Sequence, residues 1–146
     1  MFGIKRIKIY NLLMLYHYLS IRYKIFVIEL GRSILKELTK HDVYCKHYVL
    51  LLDSIVVGTL RLRYIDNAVE LGRVSLLAEY RNKGYASLAI NQVIKQIKDK
   101  NKTDFIRLFT EHGNIDFYKK FNFLEAGIRF FGNDSYPYMT MRLDIK

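Results

Sequence analysis

The chain has one cysteine, one proline and no tryptophan. A single cysteine excludes an internal disulfide and any cysteine-based zinc site. Cys45 therefore reads as a small apolar residue in a reducing setting, and a cytoplasmic location is expected. The histidines His17, His41, His47 and His112 do not fall at metal-ligand spacing, so no metal is expected. One proline leaves no room for a proline-rich linker. Long hydrophobic runs are missing too. Ile9 to Leu19 follows Lys5, Arg6 and Lys8 as a signal peptide would, but no small-residue cleavage site follows, and His17, Arg22 and Lys24 interrupt it. The run is too short and too polar to span a bilayer, and no membrane association is expected. The net charge of +10 is dispersed, with no long Lys/Arg block. Such a surplus favours anionic partners, a phosphorylated cofactor before nucleic acid, and otherwise reads as a solvated face.

What is present is a globular composition. The chain has 146 residues, 51% of them apolar and 14% aromatic, enough for one domain with one sizeable core. Ile4 to Tyr10 alternates apolar and basic residues and predicts a first, edge strand. Leu12, Leu15, Tyr16, Leu19, Tyr23 and Phe26 recur at helical spacing and predict a helix to Glu29, with a short helical turn over Ser33 to Thr39. His47–Asp53, Ile55–Ile65 and Val69–Leu77 predict a three-stranded meander whose last, mostly apolar strand is central. Tyr85–Lys98 has one apolar face, formed by Ala86, Ala89, Ile90, Val93, Ile94 and Ile97. Then come a strand (Asp104–Thr110), a short helix (Ile115–Phe121), and two strands (Phe123–Phe131 and Tyr138–Leu143) joined by a turn at Gly132-Asn133-Asp134. The order β-α-α-β-β-β-α-β-α-β-β is an α+β layer with a mixed sheet.

The segment that carries chemistry is Arg81-Asn82-Lys83-Gly84-Tyr85-Ala86, set where a strand gives way to a helix. Gly84 lets the backbone approach a ligand closely. The first amides of the following helix have no intrahelical acceptor and sit at the positive end of its dipole. Arg81 and Lys83 add charge, so the loop is suited to a pyrophosphate. It lacks the ending of a Walker loop and two of the three glycines of a dinucleotide fingerprint.

This arrangement resembles the GCN5-related N-acetyltransferase (GNAT) superfamily, whose acetyl-CoA loop has the form [RQ]xxGx[GA]; Arg81, Gly84 and Ala86 match its defined positions. Phe117-Tyr118-Lys119-Lys120-Phe121-Asn122-Phe123 is similar to the family's FYxxxGF segment, with Asn122 for Gly. Asn tolerates the left-handed conformation. Arg22 to Glu29 resembles the RxxVFVxEQ segment of small bacterial ElaA-like members, Leu71-Gly72-Arg73-Val74 their IGRV strand, and Ser135 to Met141 their IPHxxM ending, with Tyr138 for His.

The resemblance implies a GNAT-like, mostly antiparallel sheet flanked by helices, in one acyl-CoA N-acyltransferase domain over residues 1–146. It implies acetyl-CoA as co-substrate, a primary amine as acceptor and direct attack with no side-chain nucleophile. The pyrophosphate would lie on Arg81, Asn82, Lys83, Gly84, Tyr85 and Ala86. Backbone groups of Val74, Ser75 and Leu76 would bind the pantetheine and polarise the carbonyl. Tyr118 would protonate the departing thiolate; its plain alternative is packing between helix and sheet. Glu70 would act as base through water, or be a solvent-facing strand residue. Glu29, Glu111 and His112 would line the acceptor pocket, or be polar helix-end residues. A homodimer fits this reading. Two other functions stay open, an acyl-homoserine-lactone-synthase-like acyltransferase and an inactive acyl-CoA-binding module.

Overall fold

The computed structural model describes residues 1–8, 10–131 and 137–146. Ile9 of the expected first strand, the Gly132-Asn133-Asp134 turn, and Ser135 and Tyr136 of the ending motif lie outside the described residues. The strands are β1 (Phe2–Arg6), β2 (Lys46–Leu52), β3 (Ile55–Ile65), β4 (Ala68–Leu76), β5 (Phe105–Thr110), β6 (Leu124–Arg129) and β7 (Tyr138–Asp144). The α-helices are α1 (Leu12–Arg22), α2 (Ile34–Glu37), α3 (Tyr85–Lys100) and α4 (Ile115–Lys119). They form a seven-stranded sheet in the order β1-β2-β3-β4-β5-β7-β6, in which only the β4–β5 pair is parallel. The expected α+β class, the edge position of β1 and the central position of β4 all hold.

One face of the sheet is an apolar core. Leu60 and Leu62 of β3, Val69 and Leu71 of β4, Ile106 and Leu108 of β5, and Met139, Met141 and Leu143 of β7 pack with Ala89, Ile90, Val93 and Ile97 of α3. Ile115 and Phe123 extend this core around α4. The α3 periodicity read from the sequence is the face the helix buries. Full burial of each Ile, Val or Leu contributes about 1.5–3 kcal/mol.

The other face carries α1 and a widened π-helical segment, Tyr23–Glu29, in which the Leu30 N–H reaches back to the Ile25 carbonyl. Here the expected inward face of α1 is corrected. Leu12, Tyr16, Leu19 and Tyr23 are exposed, while Tyr18, Ile21, Arg22, Ile25 and Phe26 are buried. The physical reason is Arg22, whose side chain is 1% exposed. A buried guanidinium is tolerated only with its hydrogen bonds filled. Arg22 donates to Glu37 Oε1 at 2.7 Å, to the Glu37 carbonyl at 2.6 Å, to Asp42 Oδ1 at 3.0 Å and to the Tyr18 hydroxyl at 3.0 Å. These partners lie inside, so they set the rotation of the helix. The π turn then inserts one extra residue, shifting Ile25 and Phe26 inward against Val56 and Leu77. Asp42 comes from a 3₁₀ turn, Lys40–Tyr44, capped by Thr39, that the periodicity does not show.

Candidate active site

The site begins where β4 and β5 part. They pair only at Ala68–Phe105, Val69–Ile106 and Glu70–Arg107. Beyond Glu70, β4 stays beside β3 and β5 stays beside β7, so a wedge opens between them. A bulge in β4 helps turn it away. Arg73 has a left-handed φ of 54°, and the β3–β4 register shifts opposite it. The Thr59 hydroxyl donates to the Arg73 carbonyl at 3.2 Å and lies 2.8 Å from Ser75 Oγ, holding the bulge from β3. Gly58 is required on the same strand. A Cβ there would overlap the Ser75 carbonyl oxygen and approach Leu50 Cδ1 to 2.9 Å. Val74, Ser75 and Leu76, expected to offer backbone groups to a pantetheine, thus occupy the bulged arm of the wedge.

The basic loop lies at the end of that arm. Asn82 has φ 59° and Gly84, the residue before α3, has φ 81°. No side chain caps α3, and its first helical bond runs from the Leu88 N–H to the Gly84 carbonyl. The amides of the first turn therefore have no partner within the helix and face outward at the positive end of its dipole. Nothing lies within 4 Å of where a Gly84 Cβ would be, so the approach to the loop is open. Lys83 is exposed beside it. Tyr85 is tied down by stacking on Phe2, at 5.4 Å between rings, and Ala86 is half-buried against the core. These features fit a pyrophosphate. Arg81 serves differently from the expectation that its charge faces the phosphate: Nε donates to the Leu76 carbonyl at 2.9 Å and Nη2 to Glu29 Oε2 at 2.7 Å. Its guanidinium fastens the loop to the end of β4 and to the π segment. Glu29, expected in the acceptor pocket, is the partner in that clamp.

Tyr118 stands on α4 with its ring at 5.1 Å from that of Phe117 and 6.0 Å from that of Phe123. Burial pushes its phenol up to about 12. It therefore holds its proton throughout the neutral range, as a proton donor must. Asn122 adopts the left-handed conformation, φ 65°, that the family's glycine would take.

Glu70 is displaced from the role of free base. Its Oε2 accepts from Arg63 Nη2 at 3.0 Å and from Arg107 Nη2 at 3.1 Å and Nε at 3.2 Å. It is buried rather than solvent-facing, and two guanidiniums pair with it at the vertex of the wedge. Glu111, at the far end of β5, pairs with Arg32 at 3.2 Å, which links the segment after the π turn to the β5 arm. His112 is exposed in the following 3₁₀ turn.

The arginines of this face are what sequence reasoning missed. Arg73 Nε lies 3.0 Å from Glu37 Oε2, and Arg61 donates to Asp42 at 3.0 Å. Burial pushes the Arg73 guanidinium down, and the like charges of Arg61, Arg22 and Arg32 push it further, against the attraction of Glu37. The available signal was alternation: Arg61 and Arg63 in β3 and Arg107 in β5 fall between the core residues of their strands.

The sequence profile described as Acetyltransferase (GNAT) family matches residues 8–123. The chain belongs to the GNAT acetyltransferase family. A Bacillus subtilis (strain 168) protein whose name describes it as an acetyltransferase is 27% identical over 128 residues, 84% of each chain. Among solved structures, an N-acetyltransferase of Lactobacillus plantarum superposes with a TM-score of 0.83 at 21% identity, covering 99% of each chain. Escherichia coli ElaA superposes with a TM-score of 0.80 at 17% identity, over 97% of this chain and 99% of its own. A GNAT acetyltransferase of Elizabethkingia anophelis, solved with acetyl-CoA bound, gives a TM-score of 0.72 at 13% identity, over 98% of this chain and 97% of its own. Among the described residues no helix is long and apolar enough to cross a membrane.

Proposed function

We propose that this GNAT protein is an N-acetyltransferase moving an acetyl group from acetyl-CoA to a primary amine by direct attack, in one domain acting in the cytoplasm. The observation that carries the reading is the uncapped start of α3 at left-handed Gly84, set at the end of a strand that has parted from its parallel neighbour. Acetyl-CoA supplies the acetyl thioester; the amine nitrogen forms the new C–N bond, the C–S bond breaks, the amine gives one proton to water and the leaving sulfur gains one from Tyr118, which water reprotonates.

The chain's own groups would divide the work. The first-turn amides of α3, with Asn82, Lys83 and Gly84, hold the pyrophosphate. Arg81 keeps that loop in place through Glu29 and the Leu76 carbonyl. The β4 backbone from Val74 to Leu76 orients the thioester and offers amide dipoles to its carbonyl. Tyr118, with its phenol at about 12, gives the proton to the sulfur. Glu70 fixes Arg107 and Arg63 at the vertex.

The experiment is calorimetry with acetyl-CoA, followed by CoA-thiol release over a panel of amines. Saturation at micromolar acetyl-CoA and acceptor-dependent thiol release support the reading. A folded protein that binds acetyl-CoA but acetylates no amine would leave an acyl-CoA-binding module. One that does not bind it at all refutes the reading.

A further inference from the structure

The face of the sheet opposite α3 borders both arms of the wedge, and its charge is one-sided. On the β4 arm, Arg73 and Arg32 lie against the same Phe26 ring, at 5.6 Å and 5.5 Å. On the β5 arm, Arg107 and Arg129 lie against Phe109, at 5.7 Å and 5.0 Å, and Arg129 also against Phe131, at 5.1 Å. Phe131 in turn meets Phe109 at 5.0 Å and Tyr138 at 5.4 Å. This is a shelf of guanidiniums and aromatic rings.

The acids of the same face among the described residues are already taken. Glu70 serves Arg63 and Arg107, Glu37 serves Arg22 and Arg73, Asp42 serves Arg22 and Arg61, and Glu111 serves Arg32. Arg129 is exposed and, among the described residues, has no carboxylate within ion-pair distance. A polyamine or aminoglycoside brings extra cations and would meet no free carboxylate there among the described residues. A carboxylate would meet the planar fork of Arg129, which suits it geometrically.

We propose that the acceptor is a small amine bearing a carboxylate, an amino acid or a close analogue, whose carboxylate is read by Arg129 and whose side chain lies against Phe109 and Phe131. This rests on the acetyl-transfer reading and specifies its acceptor.

The test uses matched pairs that differ only in the anionic group: L-phenylalanine against L-phenylalaninamide and L-glutamine against L-glutaminamide, with spermidine and kanamycin as polycations. Acetyl-CoA binding is measured first by calorimetry, so a failed acetyl-transfer reading shows there and separately. With cofactor binding intact, at least one amino acid should exceed its amide in kcat/KM by at least tenfold. Arg129→Gln should remove that preference through KM with kcat little changed, while Arg142→Gln, whose partner is Asp144, should not. If no panel amine is turned over, titration of the amino acids into the CoA-loaded protein should still show binding that Arg129→Gln abolishes. Equal or better use of amides or polycations, a preference unchanged in Arg129→Gln, or no amino-acid binding to the CoA-loaded protein overturns the proposal.

Discussion

The two faces of the sheet are built on opposite rules. Beneath α3 and α4 the buried side chains are aliphatic and aromatic with no charged group among them, and stability there comes from area removed from water and from close packing. Beneath α1 the same strands present Arg61, Arg63, Glu70 and Arg107, and a helix residue, Arg22, is buried with Glu37. The apolar face tolerates a cavity in proportion to its size. The polar face tolerates no missing partner, because any remaining charge would be stranded away from water. The contrast also divides the proposed labour: the cofactor loop grows from the apolar side, and the acceptor is offered to the charged side.

The largest expected effect breaks the charged face. Arg22→Ala removes the main partner of the buried Glu37 carboxylate, leaving it Arg73 alone, and should cost about 3–5 kcal/mol, read by denaturant unfolding. Ile90→Ala, at the centre of the apolar face, should cost about 2–5 kcal/mol by cavity formation alone. The pair is separated by a second substitution. Glu37→Gln added to Arg22→Met should recover part of the loss, since the two most deeply buried charges leave together while Arg73 gives up its carboxylate partner, and no comparable single change rescues Ile90→Ala. If Arg22→Met alone recovers as much as the double change, Arg22 acts by its volume and not by its charge.

How far the sequence disclosed this contrast depends on the face. The apolar face was legible, because packing against one side of a helix or strand leaves its period in the chain. Ala89, Ile90, Val93 and Ile97 fell where expected, and β3 began and ended at the expected residues. The charged face was not. Apolar spacing pointed Leu12, Tyr16, Leu19 and Tyr23 inward, yet the partners of Arg22 turned them out. Those partners, Glu37 and Asp42, are 15 and 20 residues away, where no local pattern registers them. The wedge was visible only through the resemblance, because the parting of β4 from β5 is a relation between strands. The Arg81 side chain shows the same limit: its motif position was legible, but the pairing with Glu29 was not.

The next effect tests the side of the proposed cofactor. Tyr118→Phe keeps the ring between Phe117 and Phe123 and removes only the hydroxyl. Turnover should fall roughly a hundredfold with acetyl-CoA affinity unchanged, in the range for a lost general acid. With a phenol at about 12, wild type should show no basic limb from this group below pH 11, roughly one unit under that value. Near-full turnover in Tyr118→Phe would leave the tyrosine a packing residue.

A smaller effect is expected at the loop. Gly84→Val forces a β-branched residue to φ 81° and projects atoms into the open approach. Acetyl-CoA affinity should weaken at least tenfold, about 1.4 kcal/mol, by calorimetry. The variant should stay folded, because its Cβ meets no protein atom within 4 Å. Unchanged affinity would move the pyrophosphate elsewhere.

The smallest expected effect is a pH slope belonging to the charged face. His47 Nε2–H donates to the Asp42 carbonyl at 2.8 Å, so Nδ1 is bare and accepts from the Tyr18 hydroxyl at 2.7 Å, which itself accepts from Arg22. Burial lowers the His47 pKa below its ordinary value, and Arg22 and Arg61 lower it further, against the Asp42 carbonyl and carboxylate. A lowered folded value means that the unfolded chain binds this proton more readily. Stability is therefore full above the ordinary histidine value, about 6.5, and declines as pH falls from there toward the folded value. Asp42 does not share that window, because despite burial the Thr39 N–H, Arg22 and Arg61 hold its carboxyl well below the usual carboxylate range. Thermal unfolding from pH 7.5 to pH 5 should thus show a Tm that drops on the acid side. His47→Gln, which cannot take up the proton, should lower Tm at neutral pH and flatten the slope. The apolar face offers no titrating group of this kind. If the slope persists in His47→Gln, the pH sensitivity comes from outside the Tyr18–His47–Asp42 chain, and the charged face is as indifferent to mild acid as the apolar one.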